Sequence, residues 1–304
     1  MTAPPPSSLL GPLRTTGVTL DIGPFRVRVR SSIPDIAVHL ADMYGCGTPL
    51  KATFADFDIS LTPSTGLHAW FHRQVNFHFD DDTPFKPLPL AQARALFEWG
   101  LNWCIASTAH QYLILHAAVL AKDDRCVIIP GRPGAGKSTL CAALAAAGWR
   151  LFSDEMALID PGDGRLWPLP RPISLKNQSI DIIQARFPEM QFSALVRDTH
   201  KGTICHMRPP DESLEQALRP GQPRWVVYPR YTANAALEPV PVSPCQSLLR
   251  LMDDSFNLQV LGTAGFAVAS RLTATCEAHE LRYGDLEQAL AWFDTLAVED
   301  IQHP

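Results

Sequence analysis

The fold of this chain turns on one stretch, Cys126-Val-Ile-Ile-Pro130-Gly131-Arg132-Pro133-Gly134-Ala135-Gly136-Lys137-Ser138-Thr139-Leu140. An apolar run ends in a glycine-rich loop that satisfies GxxxxGK[ST], and residues 138–147 beyond it have helix-forming composition. Strand, loop and helix in that order predict a phosphate-binding loop. Glycines at 131, 134 and 136 let backbone amides turn inward around phosphate oxygens, where side chains would obstruct them. The helix adds its positive dipole end. Lys137 is placed to reach the β- and γ-phosphates and the Ser138 hydroxyl to ligate Mg²⁺. The expected nucleotide contacts run through Gly131, Arg132, Pro133, Gly134, Ala135, Gly136, Lys137, Ser138 and Thr139. The chain therefore reads as an α/β protein that binds a nucleoside triphosphate.

Working outward, residues 112–120 form an apolar run containing His116, and the polar turn Lys122-Asp-Asp-Arg125 joins it to the strand before the loop. A lone histidine in such a run reads by itself as a core residue. Downstream, Trp149-Arg-Leu-Phe-Ser-Asp154-Glu155-Met-Ala-Leu-Ile159 carries two acids inside an otherwise apolar strand. Buried paired carboxylates are expensive unless they bind a cation or share a proton. No NKxD element for guanine recognition and no LSGGQ-like signature of a transporter ATPase occurs.

Farther out, residues 1–14 read as a flexible leader, 15–108 as a small α+β domain and 109–304 as the catalytic domain. Period-2 alternation at Val18, Leu20 and Ile22, then in Phe25-Arg-Val-Arg-Val-Arg30, predicts strands with arginines on one face. Further strands are expected at 52–61 and 68–79. Asp80, Asp81 and Asp82 read as a solvated turn. Helical spacing over 88–105 places Trp99 and Trp103 toward a core. At the other end, Asp285 with Gln288 three residues on marks a helix start, followed by an apolar stripe of Leu286, Leu290, Trp292, Phe293 and Leu296.

Of 304 residues, 46% are hydrophobic and 19% charged, which supports a sizeable core. The net charge of −5 argues against nucleic acid or an anionic membrane bound through bulk charge. No stretch nears the ~20 apolar residues that span a bilayer. The N-terminal segment has no basic n-region and no apolar h-region. Seven scattered cysteines without a CxxC pair fit a reducing compartment, so a cytoplasmic location is expected.

The His116, Lys137, Asp154-Glu155 spacing resembles that of HPr kinase/phosphorylase-related kinases, and more closely the HPr-kinase-related kinase A branch. Leu115-His-Ala-Ala, Pro130 to Leu140, Gly148 to Ile159, Arg171-Pro-Ile-Ser-Leu-Lys176, Lys201 to Pro210, Tyr228-Pro-Arg230 and Ser255-Phe-Asn257 carry the likeness. The resemblance implies an α/β P-loop kinase domain related to phosphoenolpyruvate carboxykinase. It implies Mg²⁺-dependent transfer from ATP to a serine hydroxyl of a small protein or ribosomally made peptide. Asp154 is then the general base, oriented by His116, with Lys137 at the phosphates and Glu155 joining Ser138 at the metal. A homo-oligomer is expected. Three departures stand out: the second acid is Glu155 rather than Asp, Pro133 replaces a usual serine, and Ser174-Leu-Lys-Asn-Gln-Ser179 lacks the ExRGxG signature. Neither phosphorolysis nor HPr as acceptor is therefore implied.

Among the cations in proline-containing segments, Lys201 beside Gly202 and then Arg171 are the first expected at the phosphates, ahead of Lys176, Arg208 and Arg230. Two other readings of the same core stay open. One is a small-molecule hydroxyl kinase whose first hundred residues form the acceptor pocket. The other is a nucleotide-gated ATPase or regulatory module in which Glu155 activates water.

Overall fold

The computed structural model of the chain describes residues 5–45, 54–65, 73–131 and 134–302, with the side chains of 299–302 left aside. Two compact units emerge: one contains residues up to Thr108 with Ser174–Asp181 and Glu189–Arg208, the other Ala109–Ile173, Ile182–Pro188 and the remainder from Pro209. The continuous catalytic domain expected over 109–304 is thus interrupted, because two segments within it cluster with the N-terminal unit.

In the first unit the order is α1 (Pro6–Arg14), β1 (Val18–Ile22), β2 (Phe25–Ser31), α2 (Pro34–Tyr44), β3 (Phe57–Pro63), β4 (Gln74–Phe79), β5 (Leu88–Pro89) and α3 (Ala93–Thr108). The described part of the expected leader is instead helix α1, held by fully buried Leu9 and Leu13. Positions 52, 53 and 68–72 of the expected strands, the first four residues of the leader and Cys46 lie outside the described residues. The five strands pair in sequence order, β2 and β3 in parallel and the others antiparallel. Alternation buries Val27 and Val29, while Arg26, Arg28 and Arg30 face Asp21 and Asp58 at 2.7–3.3 Å. Asp80 sits in a turn with φ of 50°. Trp103 stays 38% exposed, edge-on to Phe79 and Phe85, so it borders the core rather than filling it.

The second unit runs β6 (Leu113–Lys122), β7 (Arg125–Pro130), α4 (Lys137–Ala146), β8 (Arg150–Ser153), β9 (Met156–Ile159) and β10 (Leu166–Trp167). Next come β11 (Ile173–Lys176), α5 (Gln178–Arg186), β12 (Val196–Thr199) and β13 (Gly202–Met207). The sheet β11-β13-β12 comes largely from segments of the first unit, where Val196 and Ile204 pack with Ala95 and Trp99. The chain ends with α6 (Asp211–Glu215), β14 (Gln222–Tyr231), β15 (Glu238–Pro241), α7 (Pro244–Asp253), α8 (Leu258–Thr275), β16 (Glu277–Tyr283) and α9 (Leu286–Gln302).

The main sheet has the order β10-β9-β6-β7-β14-β16-β15, with β8 also on β6. Strands β7, β14 and β16 are parallel, so Pro130, Tyr231 and Tyr283 finish on one edge. That edge is where open α/β sheets bind ligands. Leu115, Ala117, Val119, Ile128 and Val226 pack against Leu251, Val268 and Leu272 of α7 and α8. On α9, Asp285 accepts from the Gln288 amide at 2.9 Å and Phe293 packs edge-on to Trp149. Among the described residues, no helix is long and apolar enough to cross a membrane.

Candidate active site

The loop after β7 relies on backbone that L-residues avoid. Gly134 has φ of +89° and Gly136 φ of +91°. A Cβ on Gly136 would also stand 2.9 Å from the Tyr283 hydroxyl oxygen and 3.2 Å from Tyr231 Cβ. Helix α4 starts directly at Lys137 with no side-chain cap, so its first-turn amides keep their capacity for an anion. Ser138 and Thr139 lie half-buried in that first turn.

The two acids do not lie within one strand. Both β8 and β9 pair with β6, through Val119–Ala121 and Leu113–His116 respectively, and Asp154-Glu155 occupy the break between them. The break falls beside Ala117, which pairs with Pro130 at the end of β7. Such an interruption re-aims side chains without ending the sheet. Ser153 Oγ, itself buried, accepts from the Glu155 and Met156 amides at 3.3 and 3.0 Å, satisfying the donors the break exposes. Asp154 is buried and Glu155 half-buried.

Lys137 meets this group from the loop side. Its Nζ lies 3.0 Å from His116 Nε2. Lys137 is only 8% exposed, and burial lowers its pKa, while Glu155, Asp154 and Asp254 oppose the shift. A charged Lys137 can only donate, so His116 accepts at Nε2 and carries its proton on Nδ1. The structure gives the imidazole the Lys137 ammonium as a hydrogen-bond neighbour.

Asp254 escaped the sequence reading. It sits more than a hundred residues from the loop in Asp253-Asp254-Ser255-Phe256-Asn257, and only the acid pair ahead of the quoted Ser255-Phe-Asn257 could have marked it. That segment runs beside residues 114–116 of β6, ahead of the stretch that pairs with β7. The His116 amide donates to the Asp254 carbonyl at 2.7 Å, and the Phe256 amide to Ile114 at 2.9 Å. Buried Asn257 closes it, accepting from the Ile114 amide and donating to the Tyr112 carbonyl at 2.9 and 2.8 Å. The Phe256 ring stands 5.6 Å from that of His116.

A cleft of about 420 Å³ opens beside the loop, lined in part by Gly131, Ala135, Arg230, Arg250, Asp254 and Glu280. Glu280 holds Arg230 and Arg250 at 3.7 and 3.2 Å. Arg171 is buried in the second unit. Lys201 belongs to the first unit, with its ammonium 5.1 Å from the centre of the Trp99 ring; Lys176 and Arg208 belong to that unit too. Arg132 and Pro133 lie outside the described residues.

Among the described residues, no cluster of three or more His, Cys, Asp or Glu could hold a metal ion alone. Ser138, Asp154 and Glu155 are all hard oxygen donors. That set suits Mg²⁺ when phosphate oxygens and water complete the shell, which is how the ion is usually held at phosphoryl-transfer sites.

No protein-family model matches the chain, and no curated protein matches it. Among solved structures, the HPr(Ser) kinase/phosphatase from Coxiella burnetii is similar at 15% identity with a TM-score of 0.29, covering 61% of this chain and 98% of that one. What the site can do follows from its own side chains.

Proposed function

We propose that the protein is a Mg²⁺-dependent kinase that transfers the γ-phosphate of ATP to a hydroxyl, with a serine of a small protein or peptide as acceptor. The observation that carries this reading is the approach of Lys137 to His116 at the head of α4, with the Asp154-Glu155 break one strand away. Phosphoryl transfer needs positioning and charge neutralisation more than covalent chemistry. Turns at Gly134 and Gly136 present amides to the phosphates, and Lys137 supplies the cation nearest them. On nucleotide binding, Lys137 exchanges its hydrogen bond to His116 for phosphate oxygens, leaving the imidazole free to orient Asp154. Asp154, in a water-poor break, takes the acceptor proton. Ser138 and Glu155 would hold Mg²⁺, which would supply neutralisation of the phosphate charge. The acceptor approaches from the Asp254 side of the cleft, next to His116.

The test is intact-mass spectrometry of candidate peptides and small proteins encoded beside this one, incubated with the protein, Mg²⁺ and ATP. A gain of ~80 Da, one HPO₃, that disappears with Asp154→Asn is expected. ADP release without any acceptor gaining mass, and with Asp154→Asn as fast as wild type, would overturn the reading.

A further inference from the structure

Strand β7 has two neighbours, and they differ in what they bring to the loop. On one side, β6 supplies His116 and aligns the break that holds Asp154 and Glu155. On the other, β14 and then β16 bring no acid or histidine at their ends, but tyrosines: Tyr231 and Tyr283, paired in register. If the γ-phosphate points toward His116 and Asp154, the rest of the nucleotide leaves the loop on the opposite side, over the end of β14.

What stands there is an exposed aromatic ring on an anchored stretch of backbone. Tyr231 is 52% exposed. Its amide donates to the Ala135 carbonyl within the loop at 3.3 Å, and the next amide, Thr232, donates to the Tyr283 carbonyl at 2.9 Å. Its ring meets that of buried Tyr283 edge-on, with centroids 5.7 Å apart. The turn beyond is closed by the Ala235 amide on the Thr232 carbonyl, and it packs so closely on Gly284 that a Cβ there would lie 2.4 Å from the Ala235 nitrogen. The Tyr231 backbone is thus tied to the loop and to the end of β16, and its exposed ring stands next to Gly136.

We infer that the Tyr231 ring is the stacking platform for the nucleobase of the donor nucleotide. A tyrosine has only two side-chain torsions to lose on stacking, and every base has a π-face to offer. The inference rests on the proposed nucleotide-binding function and assigns its base subsite. A platform that stacks without hydrogen-bonding the base edge separates purines from pyrimidines by ring area more than it separates adenine from guanine.

Calorimetric titration of the whole protein with Mg²⁺·ADP and, separately, with Mg²⁺·tripolyphosphate tests it. Wild type is expected to hold ADP more tightly than tripolyphosphate. Tyr231→Ala should weaken ADP about 5- to 150-fold, the range for losing one stacked base, and change tripolyphosphate less than about twofold. Tyr231→Phe should restore ADP binding. Retained tripolyphosphate binding reports that a variant is folded, and Tyr231→Leu, which keeps bulk without a π-face, should match the alanine variant. ADP binding unchanged in both Ala and Leu variants, or tripolyphosphate lost in step with ADP, overturns the inference while nucleotide binding stands. Wild type that binds neither ligand overturns the nucleotide-binding reading itself.

Discussion

Lys137 Nζ lies 3.0 Å from His116 Nε2, joining the first residue of the loop helix to a histidine on β6, the strand paired with β7. The contact places a buried ammonium against the imidazole. Burial lowers the Lys137 pKa, and three carboxylates offset that only in part.

Nucleotide binding should therefore be linked to proton uptake. Phosphate oxygens favour charged Lys137 and raise its pKa. Between the lowered value of the free protein and the ordinary 10.5, the complex holds a proton that the free protein has released. Titrations at alkaline pH in buffers of different ionisation enthalpy should give a positive proton count that falls away near neutrality. A zero count at every pH would contradict this.

Lys137→Met should lose nucleotide binding without losing stability. The unfolded chain keeps the lysine proton up to 10.5 while the folded protein gives it up earlier, so folded stability rises with pH across that window and the penalty is fully present below it. Removing the charge removes the penalty. A melting temperature equal to or above that of the wild type, with no further rise on adding Mg²⁺·ADP, is expected.

Substitution at the loop glycines should separate strain from crowding. Gly134 and Gly136 share a φ near +90°, yet among the described residues nothing lies within 4 Å of a Cβ at Gly134. Gly134→Ala is expected to destabilise by about 1–2 kcal/mol, the backbone term alone. Gly136→Ala should exceed it, because Tyr283 and Tyr231 must also shift, and denaturant midpoints of the two variants measure the difference.

Ser153→Ala should injure catalysis more than ATP binding. Its hydroxyl satisfies two amides in the break that carries Asp154 and Glu155. Losing it is expected to destabilise the fold by about 1–3 kcal/mol and to lower kcat with little change in the KM for ATP. A KM effect without a kcat effect would place the break outside the reacting centre.

Asn257→Asp should loosen the segment that brings Asp254 beside His116. An aspartate keeps the acceptor for the Ile114 amide but turns a carboxylate oxygen toward the Tyr112 carbonyl. About 1–3 kcal/mol of stability should be lost, most of it recovered when the carboxylate is protonated at low pH. Denaturation at two pH values checks this.

Much of the second unit was legible because it is written locally. The glycines, the apolar run before them and the helix formers after them specify β7, the loop and α4 within some twenty residues. Helix α3 starts at Ala93 rather than 88, since Leu88-Pro89 pairs with β4 first. The leader became α1 because Leu9 and Leu13 find a core, which composition rich in proline conceals. The apolar run around Asp154 looks like one strand in sequence; it is two, because Ser153 supplies the hydrogen bonds that make an interruption tolerable.

By itself, the sequence determined that the chain carries a glycine loop between a strand and a helix, since φ freedom, helix start and spacing are properties of adjacent residues. Only the tertiary structure decided what faces Lys137. His116 arrives from an antiparallel neighbour, and Asp254 through hydrogen bonds between residues 112–116 and 254–257. Sheet order and register are set by pairing across long stretches of chain, where no short-range pattern can specify them.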